Sequence, residues 1–163
     1  MAKNRFLLLA VVVAFLTVGC SPTVAPPVET DFTLPTLNGQ TFTLSDYRGQ
    51  PIVLSFFSTR CSACQREIPH LISLYQKYQD SHQLLIVGIA VNVISEQTVE
   101  DFVSEMGISY PILLDWEEEV AEQFGVSPIP HCVFIDQELN PVDDPLVGYH
   151  SEEELEEWLA GLW

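Results

Sequence analysis

Two stretches of this 163-residue chain are apolar at nearly every position, Ile52–Phe57 and residues 84–91. Continuous apolar runs of that length suit strands covered on both faces of a sheet. Between them Ile68, Leu71, Ile72, Tyr75 and Tyr78 recur at helical spacing. They predict a helix over Ser62–Tyr78 with those five residues as its buried stripe. Strand, helix and strand in this order form a right-handed crossover with a parallel pair. Downstream, Ser95 caps a second helix over 95–106, with Val99, Phe102 and Val103 as its apolar stripe and Gly107 as its stop. Ile112–Leu114 reads as a short strand, 117–124 as a helical turn or two stopped by Gly125, and His131–Ile135 as a strand. After a turn over 136–141 come a strand at Leu146–Val147 and a last helix over 151–162. Ser151 with Glu154 makes a capping-box pattern there, and Leu155, Trp158, Leu159 and Leu162 form the packed face. Ahead of all this, two alternating runs in 32–44 flank Asn38-Gly39, which predicts a hairpin, and 45–49 reads as one helical turn. The sum is one α/β domain.

The N-terminus stands apart from that pattern. Lys3 and Arg5 precede an apolar run from Phe6 to Val18, and Gly19-Cys20 ends it. This reads as an export signal, and it is short for a full membrane span. Thr17-Val18-Gly19-Cys20 resembles a lipobox, with Thr17 where leucine is usual, so Cys20 is the expected lipidation site. An ordinary signal peptide or an uncleaved anchor are the alternatives, and all three place the domain outside the cytoplasm. The chain then divides into a leader over 1–19, a proline-containing tether over 20–30 and the domain over 31–163. Removing the leader takes Lys3 and Arg5 and no acid, so the formal charge moves from −17 to −19. Such an acidic balance argues against nucleic acid or an anionic membrane surface as an electrostatic partner. It suits a basic partner or simply a solvated surface.

The chemistry concentrates at Cys61-Ser62-Ala63-Cys64, where a strand gives way to a helix. Two cysteines so spaced suit reversible disulfide exchange. Cys61 precedes the helix proper and faces its free N–H groups, which favour a thiolate, and Arg60 adds a positive charge. Cys64 lies one turn in and is placed to resolve a mixed disulfide. A purely stabilising bridge is a weak alternative, since so short a loop removes little chain entropy. Zinc would need two further ligands, and no second C-x-x-C exists. Glu67 shares a helical face with Cys64 and is a candidate proton carrier of raised pKa; the alternative is a solvated helix glutamate. Pro69 falls inside the helix and removes one backbone bond. Cys132 reads as a buried small residue or as a third thiol near Cys64. His131 with the cysteine pair is a copper alternative. His70, His82 and His150 read as surface or packing residues, and Trp116, Trp158 and Trp163 as packing.

The hairpin, the Cys61–Cys64 pair, Glu67, Pro69, Val87-Gly88-Ile89-Ala90-Val91, Gly125-Val126-Ser127-Pro128-Ile129-Pro130 and Val133-Phe134-Ile135-Asp136 together resemble the TlpA/ResA group of membrane-anchored thioredoxin-like proteins. That resemblance implies a thioredoxin-like fold with an N-terminal β-hairpin extension and a central mixed sheet flanked by helices. It implies that Cys61 attacks, Cys64 resolves and Glu67 handles protons, while a cis Pro130 and the Ile129 backbone position the target. Thioredoxin carries a buried acid where this chain has Ser55, which leaves Glu67 as the candidate. The family usually has tryptophan at Arg60, so the target surface is expected to differ there. The resemblance further implies reduction of disulfides in exported proteins, apocytochrome c among them, recycling by a transmembrane electron donor, and no cofactor beyond the redox-active disulfide. A thiol peroxidase is the enzymatic rival. Ser58 stands three before Cys61 as that chemistry asks, but Leu54 occupies the proline place.

Overall fold

The computed structural model describes residues 30–142 and 144–163. The expected leader, Cys20 and all of the expected tether but Thr30 lie outside the described residues. Among the described residues seven strands and four helices follow the expected order: β1 Thr33–Pro35, β2 Thr41–Thr43, β3 Ile52–Phe57, α1 Ser62–Tyr78, β4 Leu85–Ala90, α2 Glu96–Met106, β5 Ile112–Leu114, α3 Glu119–Gln123, β6 His131–Ile135, β7 Leu146–Val147 and α4 Glu152–Leu159. A 3-10 turn, Leu44–Tyr47, joins the hairpin to β3.

The five-stranded sheet runs β5-β4-β3-β6-β7. β3, β4 and β5 are parallel, while β6 and β7 are antiparallel to their neighbours. Strand alternation sends Val53, Ser55 and Phe57 of β3 to one face and Ile52, Leu54 and Phe56 to the other. The first face is covered by α1, α2 and α4, with Leu71, Leu74, Phe102, Leu155 and Leu159 in its core. The second is covered by the hairpin, the 3-10 turn and α3, with Phe32, Phe42, Leu44 and Val120. The hairpin turns at Asn38-Gly39, where Gly39 takes φ +77°. Its tip then docks on β5: Leu37 N–H donates to the Ile112 carbonyl at 2.9 Å, and Thr36 bridges Leu113.

Helix ends follow local chemistry. The Ser95 hydroxyl accepts from Thr98 N–H, and Gly107 closes α2 at φ +66°. Ser151 and Glu154 form the expected capping box on α4. Three stripes differ from expectation. On α1 the fully buried positions are Cys64, Glu67, Ile68, Leu71 and Leu74, whereas Ile72, Tyr75 and Tyr78 are half-buried at the edge of the core. The larger aromatic rings sit at the flank because Leu74 already occupies the space above the sheet, and Tyr78 instead hydrogen-bonds Glu156 of α4. Val103 and Trp158 are likewise half-buried, so α2 and α4 present narrower apolar faces than their sequences suggest. Trp116 and Trp163 are partly exposed, at 45% and 43%, and Trp163 packs against His82 and Tyr78.

Candidate functional site

The parallel strands β3, β4 and β5 all end at one edge of the sheet, and β6 begins there. The Cys61–Cys64 loop after β3 and the Ser127–Pro130 segment before β6 therefore meet. A turn closes first, with Cys61 N–H donating to the Ser58 carbonyl at 3.0 Å and the Gln65 amide to the Thr59 carbonyl at 3.0 Å. Cys61 is the N-cap of α1, with extended backbone, and its sulfur accepts from Cys64 N–H at 3.1 Å. Cys61 and Cys64 are joined as a disulfide. Cys61 is half-buried and Cys64 is fully buried, the asymmetry expected of an attacking and a resolving sulfur. In the reduced pair, the N–H that now meets Cys61 Sγ would stabilise its thiolate.

Ile129 and Pro130 stand opposite. The Ile129–Pro130 bond is cis, as the resemblance implies, and the Ile129 carbonyl oxygen lies 4.0 Å from Cys61 Sγ. Ser127–Pro128 is a second cis bond that the sequence reading missed. Arg60 is exposed beside Cys61.

Glu67 is 1% exposed, so the solvated-glutamate alternative fails. Burial pushes its carboxyl above the ordinary carboxylate range, against the His150 N–H, the Cys132 thiol and the His150 and His70 imidazoles, which all lower it. Oε1 accepts from His150 N–H at 2.9 Å, and Oε2 lies 3.7 Å from Cys132 Sγ. His150 thus belongs to the site through its backbone, which no side-chain pattern could reveal. Its segment is held from two sides. The Arg66 guanidinium sits 4.7 Å over the Tyr149 ring, and His70 Nε2 lies 3.2 Å from the Tyr149 hydroxyl. Gly148 N–H donates to the Pro130 carbonyl at 2.9 Å.

β6 sends its neighbouring side chains to opposite faces. Cys132 joins the core with Cys64, whereas His131 is buried edge-on against Phe56 on the other face. The copper alternative required His131 on the side of the cysteine pair, and the register removes it from there. Leu54, at the peroxidase proline position, is a fully buried core residue within β3.

A thioredoxin-like sheet with a Cys-x-x-Cys disulfide at a helix N-terminus, faced by a cis-proline, defines a thioredoxin-fold thiol–disulfide protein. The AhpC/TSA family model matches residues 27–140. Thiol-disulfide oxidoreductase ResA of Geobacillus thermodenitrificans is 33% identical over 81% of this chain and 74% of its own length. Sporulation thiol-disulfide oxidoreductase A of Bacillus subtilis is 28% identical over 82% of this chain and 80% of its own. Among solved structures, MTB dsbF in its mixed oxidized and reduced forms matches with TM-score 0.75 and 27% identity, covering 84% of this chain and 98% of that one. The chain belongs to the AhpC/TSA family and, within it, to the ResA-type thiol-disulfide oxidoreductases. Its activity is thiol–disulfide exchange.

Proposed function

We propose that this protein reduces disulfides in exported proteins at the extracytoplasmic face of a bacterial membrane. A lipid on Cys20 would hold the domain there through the 20–30 tether. The arrangement that supports the reading is a half-buried Cys61 capping α1 over a fully buried Cys64, with Ile129 4.0 Å across from Cys61. In the reduced protein, the Cys61 thiolate attacks one sulfur of the target disulfide. A bond forms from Cys61 Sγ to that sulfur, and the other target sulfur leaves as a thiolate that takes up a proton. Cys64 then gives its proton to Glu67 and attacks Cys61 Sγ. The Cys61–Cys64 disulfide forms and the second target sulfur leaves as a thiolate that takes up a proton, so two electrons have passed to the target. The Ile129 backbone aligns the extended target segment, and exposed Arg60 shapes which segments dock. A transmembrane dithiol donor returns two electrons to the pair. Haem-site cysteines of apocytochrome c are one fitting target class.

The test is trapping. Cys64→Ser should accumulate its target as a mixed disulfide through Cys61 in envelope fractions, and Cys61→Ser should trap nothing. Absence of any covalent adduct on Cys64→Ser would sink the exchange mechanism. Palmitate labelling that disappears in Cys20→Ser tests the anchor.

A further inference from the structure

Glu67 has a second buried neighbour that thiol–disulfide exchange between Cys61 and Cys64 leaves without a role. Cys132 is 1% exposed, it is the free cysteine of the described domain, and its sulfur lies 3.7 Å from Glu67 Oε2. Its other polar neighbour is Ser55, directly opposite it in the β3–β6 register. The two oxygens of one buried carboxylate are thereby divided. The His150 N–H holds Oε1 and the Cys132 thiol holds Oε2.

We propose that Cys132 is a positioning residue for Glu67: its thiol donates to Oε2, fixes the carboxylate beneath the redox pair and steadies its ionised form. This rests on the reading of Glu67 as the proton acceptor for Cys64. The thiol is suited to donating because it stays protonated. Burial and the Glu67 charge both push the Cys132 thiol well above its ordinary value. A buried carboxylate with one oxygen unpartnered would be a poor resting state, since a desolvated charge needs donors on both sides.

The other groups facing Glu67 are few. His150 approaches from the segment after β7, His70 from α1 itself and Tyr110 from the segment before β5. The two histidines are in turn balanced by acids of α4, Glu154 at 4.0 Å from His150 and Glu152 at 3.7 Å from His70. Of the groups touching Glu67, Cys132 is the one side-chain donor hydrogen-bonded to it among the described residues.

The experiment follows the Glu67 carboxyl directly, by carbon-13 NMR titration of the oxidised protein. Cys132→Val keeps the volume and Cys132→Ala reduces it, and both remove the donor. Cys132→Ser keeps a donor. The Glu67 midpoint should rise in the Val and Ala variants by on the order of half to one pH unit and stay near the wild-type value in Ser. The acid limb of the exchange rate should move with it. An unchanged midpoint in Val and Ala overturns the proposal, as does a Ser variant that shifts as far as Val. The carboxyl titration needs no turnover, so its result stands apart from the role of Glu67 in exchange. That role is tested separately by the pH–rate profile of Glu67→Gln.

Discussion

Replacing Glu67 by glutamine should make the protein more stable and less active at once. The carboxyl is raised above its ordinary value of 4.5 by burial. Below pH 4.5 the acid is protonated in both the folded and the unfolded chain and contributes nothing to pH dependence. Above it the unfolded chain ionises first and binds fewer protons, so wild-type stability falls as pH rises. The fall amounts to about 1.4 kcal/mol for each unit between 4.5 and the raised folded value, and it levels off beyond that. Glutamine has no charge to desolvate. Its amide oxygen can still accept from His150 N–H, and its amide N–H can point at the Cys132 sulfur, so no buried group is stranded. Glu67→Gln should therefore match wild type near pH 4 and gain on it steadily above, by roughly 3–5 °C of Tm for each kcal/mol in a domain of this size. Over the same pH range, single-turnover reduction of insulin should slow by about 10²-fold, the low end of general acid–base contributions. Thermal unfolding of both proteins, kept oxidised, from pH 4 to 8 measures the first effect. Parallel stability curves across that range would refute the burial argument.

Three further outcomes are expected. Arg60→Gln should raise the Cys61 thiol pKa and slow exchange about threefold at neutral pH and low salt, with the difference closing at high salt; thiolate absorbance and the rate at two ionic strengths check it. Gly88→Ala should cost about 1–3 kcal/mol in denaturant unfolding, because a Cβ there would sit 2.5 Å from Ile112 Cδ1 and 3.2 Å from the Phe57 and Tyr110 rings. Ser151→Ala should cost about 1 kcal/mol by removing the α4 cap. It should also loosen the adjacent His150 N–H bond to Glu67, read as faster hydrogen exchange at His150.

The order of elements was legible because each announces itself locally. Asn38-Gly39 marks the hairpin turn, the unbroken run of β3 marks a strand buried on both faces, and Ser95 and Ser151 mark helix starts. The cysteine pair and Glu67 were legible for the same reason, since three residues of one helix set their mutual placement. What sequence withheld was long-range. The Leu37–Ile112 bond joins residues that no pattern links, and Glu67 meets His150 through a backbone N–H that carries no residue signature. Asp115 was also missed. It is buried at the end of β5, and its carboxylate accepts from Ala121 N–H at 2.8 Å and Val120 N–H at 3.4 Å, closing the start of α3 from outside the helix. An acid two residues before Glu117-Glu118-Glu119 looks like more solvated charge until its burial is known. The α1 stripe misled because aromatic residues at helical spacing look like core, while the buried face is filled by Cys64, Glu67, Ile68, Leu71 and Leu74 and leaves Tyr75 and Tyr78 at its edge.

The docked hairpin tip has a consequence for solubility. A five-stranded sheet leaves two rows of unpaired backbone groups, and such rows template pairing with other extended chains. Here one border strand, β7, is two residues long. The other, β5, is crossed by Thr36 and Leu37 of the hairpin. The sheet is thereby left with no long open strand to which another extended chain could add. Both borders of the sheet are closed to growth into aggregates.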